Sequence, residues 1–121
     1  MLENEIFEFY RGRTYQRDFT ISEWSLPISK VYFTVKENTE FKKPILQKTL
    51  GDGITLVDDE NGIKTFSLLI DATDTDHMKT EFDYTFDIAI HSEYEDGYVV
   101  KENAITGILR LKSSATTTIN E

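Results

Sequence analysis

The stretch Phe82-Asp83-Tyr84-Thr85-Phe86-Asp87-Ile88-Ala89-Ile90-His91 decides the fold class. Successive side chains of a β-strand point to opposite faces, so Phe82, Tyr84, Phe86, Ile88 and Ile90 line one apolar face. Asp83, Thr85, Asp87, Ala89 and His91 line the other, which is mostly polar. Apolar residues at helical spacing are nearly absent here, and the segment reads as a central strand. Tyr84 stands near its start, after a polar loop. Sandwich folds place a tyrosine there whose hydroxyl bonds back to the backbone.

The same alternation extends outward along the chain. Val31, Phe33 and Val35 alternate with Lys30, Tyr32, Thr34 and Lys36, and Tyr15, Phe19 and Ile21 share a face interrupted by Arg17. Residues 6–11, 64–70 and 105–111 are rich in β-branched and aromatic residues, with shorter segments at 45–50 and 54–57. Gly51-Asp52-Gly53, Asn61-Gly62 and Asp96-Gly97 fall between them and tolerate the positive φ of tight connections. Residues 71–79 admit a helical turn capped by Asp71 or Thr73, too short for a packed helix. Seven to nine short strands with regular turn signals predict an antiparallel sandwich or barrel, and Tyr84 favours the sandwich. Either the first segment, 6–11, or the last, 105–111, is expected at a sheet edge.

Composition sets the limits. The 121 residues carry a net charge of −9, and 39% are hydrophobic and 12% aromatic. That suffices for one core without metals or cross-links. The chain has no cysteine, which removes disulfides and thiolate metal sites. Its acidic field disfavours nucleic acid and anionic membranes. The first residues carry Glu3, Glu5 and Glu8 without a basic residue, unlike a signal peptide, and no apolar run approaches the ~20 residues of a spanning helix. No membrane insertion is expected.

Candidate chemistry reduces to simpler readings. His77 and His91 lack the further ligands of a zinc set. Asp71, Asp74 and Asp76, Asp58, Asp59 and Glu60, and Glu93, Glu95 and Asp96 offer oxygens to calcium but lack the spacing of a helix-loop-helix calcium site, and turns collect Asp for backbone reasons. No nucleophile elbow, phosphate loop or dinucleotide fingerprint is present. The expectation is therefore no catalytic residue, no cofactor and no metal. Three aromatics fall off the core pattern: Tyr32, facing away from Phe33, and Trp24 and Tyr94 in loops. They are the candidate contacts to a protein or sugar partner, although Trp24 reads equally as a cap on one end of the core.

In order and spacing, the chain resembles the N-terminal domain family of phage baseplate upper proteins. Its opening element is similar to Arg11-Gly12-Arg13-Thr14, followed by a strand, with Arg13 where the family carries an acidic or amide residue. Further likeness lies in Pro27-Ile28 with Val31-Tyr32-Phe33-Thr34-Val35-Lys36, and in Lys48-Thr49-Leu50-Gly51-Asp52-Gly53-Ile54-Thr55. Leu69 to Thr75, Tyr84-Thr85-Phe86-Asp87-Ile88 and Thr106-Gly107-Ile108-Leu109 complete it. The family's glycine shortly before Tyr84 is missing, with Phe82-Asp83 in its place. The resemblance implies an immunoglobulin-like β-sandwich over residues 1–112 and a Ser/Thr-rich tail over 113–121. It further implies a non-enzymatic structural protein of a phage or prophage virion, in tail or baseplate, made in the host bacterial cytoplasm. Its partners would be other virion proteins and copies of itself. The alternative is a module binding carbohydrate or protein on the host surface.

Overall fold

The computed structural model describes residues 2–22, 27–38, 40, 43–60, 62–93 and 96–113. The strands are β1 (Leu2–Tyr10), β2 (Tyr15–Ser22), β3 (Ile28–Lys36), β4 (Leu46–Leu50), β5 (Gly53–Glu60), β6 (Ile63–Ile70), β7 (Asp83–Glu93) and β8 (Val99–Lys112). A single 3-10 turn, Ala72–Thr75, lies between β6 and β7. Hydrogen bonding runs in the order β1-β8-β7-β3-β4-β5-β6-β2. Between β4 and β5 it passes only through Thr49 opposite Gly53 and Leu50 opposite Ile54, where the chain turns from one layer into the other. Gly51 and Gly53 adopt φ of 93° and 96° in this crossing, a region that side chains resist.

The two ends of the strand order meet face to face. Phe9 of β1 stacks on Tyr15 of β2 at 4.2 Å between ring centroids, and Arg17 of β2 lies 4.6 Å over the Phe7 ring. The result is an all-β sandwich, with β1-β8-β7-β3-β4 against β5-β6-β2. Among the described residues no helix is long and apolar enough to cross a membrane.

Alternation decides what is buried. In β7, Tyr84, Phe86, Ile88 and Ile90 are all buried, and Thr85, Asp87, Ala89 and His91 are half-exposed on the outer face. Val31, Phe33 and Val35 of β3 and Phe66, Leu68 and Ile70 of β6 face them from their own strands. An aromatic cluster sits at the centre, with Phe86 4.3 Å from Phe7 and 5.6 Å from Phe33 between ring centroids. Phe7 and Phe86 belong to strands separated by β8. Gly107 occupies the inward-facing position of β8 opposite Phe86 and Glu5. A Cβ there would overlap the Glu5 carbonyl and lie 2.7 Å from its carbon and 2.9 Å from its nitrogen.

Of the two segments expected at an edge, the first is one: β1 ends the strand order, with Ile6 52% exposed, as β2 does at the other end. The 105–111 segment is interior, since β8 pairs with β7 on one side and with β1 on the other. The pairing is mostly antiparallel, with β4 parallel to β5 and β1 parallel to β8, Phe7 opposite Leu109 and Phe9 opposite Leu111. A parallel neighbour needs a distant connection, and β1 and β8 are the first and last strands among the described residues.

The corner before β7 forms as its tyrosine implies. The Lys79 N–H donates to the Tyr84 hydroxyl at 2.7 Å, and Tyr84 is 2% exposed. Tyr84→Phe keeps the ring but strips the Lys79 N–H of its acceptor, so unfolding by urea is expected to show a loss of about 1–3 kcal/mol. Just before this corner Glu81 is the one described non-glycine residue at positive φ, 56°. Its N–H donates to the Leu111 carbonyl at 2.8 Å, which holds the strained turn against the end of β8. A left-handed conformation costs a non-glycine residue roughly 1–2 kcal/mol. Glu81→Gly is therefore expected to stabilise the protein by about 0.5–1 kcal/mol after glycine's extra unfolded-state entropy, read from the same urea curves.

Candidate functional site

At one end of the sandwich, segments far apart in sequence close on the loop between β6 and β7. The Gly12 N–H donates to the buried Thr75 hydroxyl at 2.9 Å, and Arg11 Nη1 donates to the Met78 carbonyl at 3.2 Å. From β4, Lys48 Nζ reaches Asp74 Oδ2 at 2.7 Å, with side chains only 12% and 22% exposed. The aliphatic stem of Lys48 packs on Gly53, where an added Cβ would stand 2.5 Å from Lys48 Cδ. Asp74 Oδ2 also accepts the Asp71 N–H at 2.8 Å, which closes the 3-10 turn. The Arg11-Gly12, Lys48-to-Gly53, Asp71-to-Thr75 and Tyr84 motifs thus meet in one scaffold cluster. Their polar groups are spent on one another.

The same contacts account for acidic residues considered for calcium. Asp74 is paired with Lys48, Asp59 with Lys64 at 2.9 Å, and Asp96 Oδ1 accepts the Tyr98 N–H at 3.0 Å. Among the described residues, no group of three or more His, Asp or Glu is placed to hold a metal ion. His77 borders an apolar cleft of about 490 Å³ with Glu37, Lys43, Pro44 and Ile45.

Of the three aromatic candidates, Trp24 and Tyr94 lie outside the described residues. Tyr32 is on the outer face of β3, half-buried, opposite Ala89 of β7 and Thr49 of β4. Its ring lies 5.0 Å from the His91 ring, tilted by 58°. On its β4 side it lines a depression of about 220 Å³ with Ser29, Lys30, Val31, Thr49 and Leu50. Tyr32 and His91 are therefore neighbours, a pairing that sequence distance conceals. Two residues that the sequence did not single out join them. Lys30 of β3 stands opposite His91, and Lys101 of β8 stands opposite its other side.

Electrostatics vary along this outer face. At its far end Arg110 bridges Asp83 and Glu8, linking β7, β8 and β1. Its hydrogen bonds hold the Asp83 carboxyl below the ordinary value. Burial pushes Asp87 up, only partly offset by Lys36. His91 is pushed below its ordinary 6.5, first by burial and then by Lys101 and Lys30. As pH falls, the unfolded chain thus takes up this proton before the folded one does. Stability is expected to be full above about pH 6.5 and to decline as pH falls through the folded-state value. His91→Gln should flatten that part of a melting-temperature profile. Asp87 acts in the opposite sense, since the folded state holds its proton more tightly, so the comparison with His91→Gln isolates the histidine.

No family model matches the chain, and no curated protein matches it. Among solved structures, MtrC from Shewanella baltica OS185 is similar over 93% of this chain at 14% identity, with a TM-score of 0.45. The chain spans 22% of that protein's length.

Proposed function

We propose that this chain is a non-catalytic assembly module of a phage or prophage virion, built into the tail or baseplate. The observation carrying this reading is the convergence of the family-like motifs on one end of the sandwich. Residues that resemble the baseplate family in order and spacing serve here to tie loops of the scaffold together: Gly12 to Thr75, Arg11 to Met78, Lys48 to Asp74 and Lys79 to Tyr84. The exposed β1 edge, with Ile6 and Tyr10 on its outer side, is a surface for other tail proteins or further copies of this chain. In this reading the protein is made in the bacterial cytoplasm and ends in the virion.

The test is location. A tagged chain should co-sediment with particles released on induction of the strain that encodes it, and light scattering should report a defined multimer. A strict monomer absent from purified particles would overturn the reading.

A second reading, a module that binds host-surface carbohydrate or protein, is favoured by one observation: the exposed base row beside Tyr32. Loss of glycan binding in Trp24→Ala or Tyr32→Ala would support it, and no binding across a broad glycan panel would count against it.

A further inference from the structure

The outer face of the β8-β7-β3 layer contains a row that strand pairing alone does not explain. Lys30, His91 and Lys101 stand directly opposite one another on three adjacent strands. Each lysine stands directly opposite the imidazole, while the two lysines are two strands, roughly 10 Å, apart. Among the described residues neither lysine has an ion-pair partner, whereas Lys48, Lys64, Lys79 and Arg110 all do. Glu93, two residues beyond His91 and next to it on the outer face of β7, is opposite Val99, and Glu102 is opposite Ile90, whose side chain is buried in the core. Neither carboxylate is in the row. The chain carries a net charge of −9, so three basic groups without a carboxylate among them stand out against their own protein. Distant carboxylates do not cancel the row, because salt screens exposed charges beyond roughly 8–10 Å.

The row is not isolated. Its central member touches Tyr32, 5.0 Å between ring centroids, and Tyr32 and Lys30 both line the 220 Å³ depression that opens toward β4. The Ser29 hydroxyl, on the same rim, donates to the His91 carbonyl at 3.0 Å and ties the start of β3 to β7 beneath the site. Thr49 offers a hydroxyl on the far side. The depression is smaller than the ~300–1,000 Å³ of drug-sized sites, which suits one sugar ring. An aromatic face for the apolar side of a ring, hydroxyls at its border and a cationic row beside it are the groups that an acidic sugar satisfies together.

We propose that Lys30, His91, Lys101 and Tyr32 form a site for a carboxylate-bearing saccharide, with the anionic group on the base row and the sugar ring against Tyr32. The inference rests on the glycan-binding reading and is independent of whether the chain is a virion part. Binding of the anion favours the protonated imidazole. The groups facing His91 are Lys30 and Tyr32 from β3 and Lys101 from β8, with Glu93 next on its own strand. The two lysines favour an anion there, Glu93 opposes it, and protonation of His91 adds a third positive group, so affinity is to rise as pH falls from about 8 to about 5.

The experiment is an amide NMR titration of the whole chain with D-glucuronate, D-glucose and inorganic sulfate. Glucuronate should shift residues 30, 32, 91 and 101 saturably, glucose should not, and sulfate should bind the same residues more weakly. The Lys30→Gln/Lys101→Gln double variant, checked as folded by its own spectrum, should weaken glucuronate at least about tenfold. Tyr32→Ala should weaken glucuronate but leave sulfate unchanged. Sulfate binding as tightly as glucuronate overturns the saccharide assignment. An unresponsive base row overturns the site altogether. Glucuronate or glucose shifting only other residues would overturn this site while leaving glycan binding by the chain intact.

Discussion

Gly107→Ala is expected to lower stability by about 2–3 kcal/mol, the upper part of what overpacking a tight interior costs. A single methyl is enough because of where the backbone of β1 lies. At Glu5 the strand passes over the inner face of β8, after a register irregularity between Leu2 and Glu5. Its carbonyl occupies the position of the missing Cβ, and its carbon and nitrogen follow at 2.7 and 2.9 Å. Backbone cannot swing aside as a lysine stem does, so β1 must shift. Hydrogen exchange should therefore report the damage locally, with amides of residues 5–10 losing protection in Gly107→Ala before those of β7 and β3. An alanine variant as stable as the parent, with β1 protected, would contradict this packing.

The largest effect belongs to Phe86→Ala, expected to cost about 3–5 kcal/mol in urea unfolding. Typical domains have only 5–15 kcal/mol in total, so the variant is expected to be marginal at room temperature. Phe86 is 1% exposed and touches both Phe7 and Phe33, which also stack on each other at 6.1 Å between centroids, so its loss opens the centre of the aromatic cluster. Stacking beyond simple burial should be visible in a double-mutant cycle. Phe7→Ala and Phe86→Ala together are expected to cost less than the sum of the two by about 0.5–1.5 kcal/mol. Additive effects would mean that the rings contribute only by their separate burial.

Both predictions concern a contact between strands that the sequence leaves unpaired. The alternation over 82–91 was sufficient to assign the buried face of β7, and every inward residue from Tyr84 to Ile90 is indeed buried. The tyrosine corner was also legible, because donor and acceptor, Lys79 and Tyr84, are five residues apart. So was the short turn after Asp71, although it is closed by Asp74 reaching back rather than by the cap side chain alone. A polar loop before Tyr84 could be read, but not that Glu81 would carry the positive φ. That choice depends on the Leu111 carbonyl, thirty residues further on, receiving its N–H.

The candidate site divides the same way. Tyr32 could be named as a candidate because it breaks the core pattern of its own strand. Lys30 and Lys101 were not found, because each is an ordinary surface lysine until the register places it beside His91. An exposed lysine on a strand carries no signal of its own. Only the row of three basic side chains does, and it exists across three strands.

What the sequence determined by itself is therefore local: strand character, the face each side chain takes, and the glycine turns. These follow from the two-residue period of the extended chain and from steric limits on φ, both set within a few residues. The tertiary structure alone decided that β1 lies parallel to β8, that Gly107 must have no side chain, and that Tyr32, His91 and two lysines share one surface. Pairing between distant strands is the sum of many weak contacts and one register. Each strand's pattern is compatible with several partners, and only the packed core selects among them.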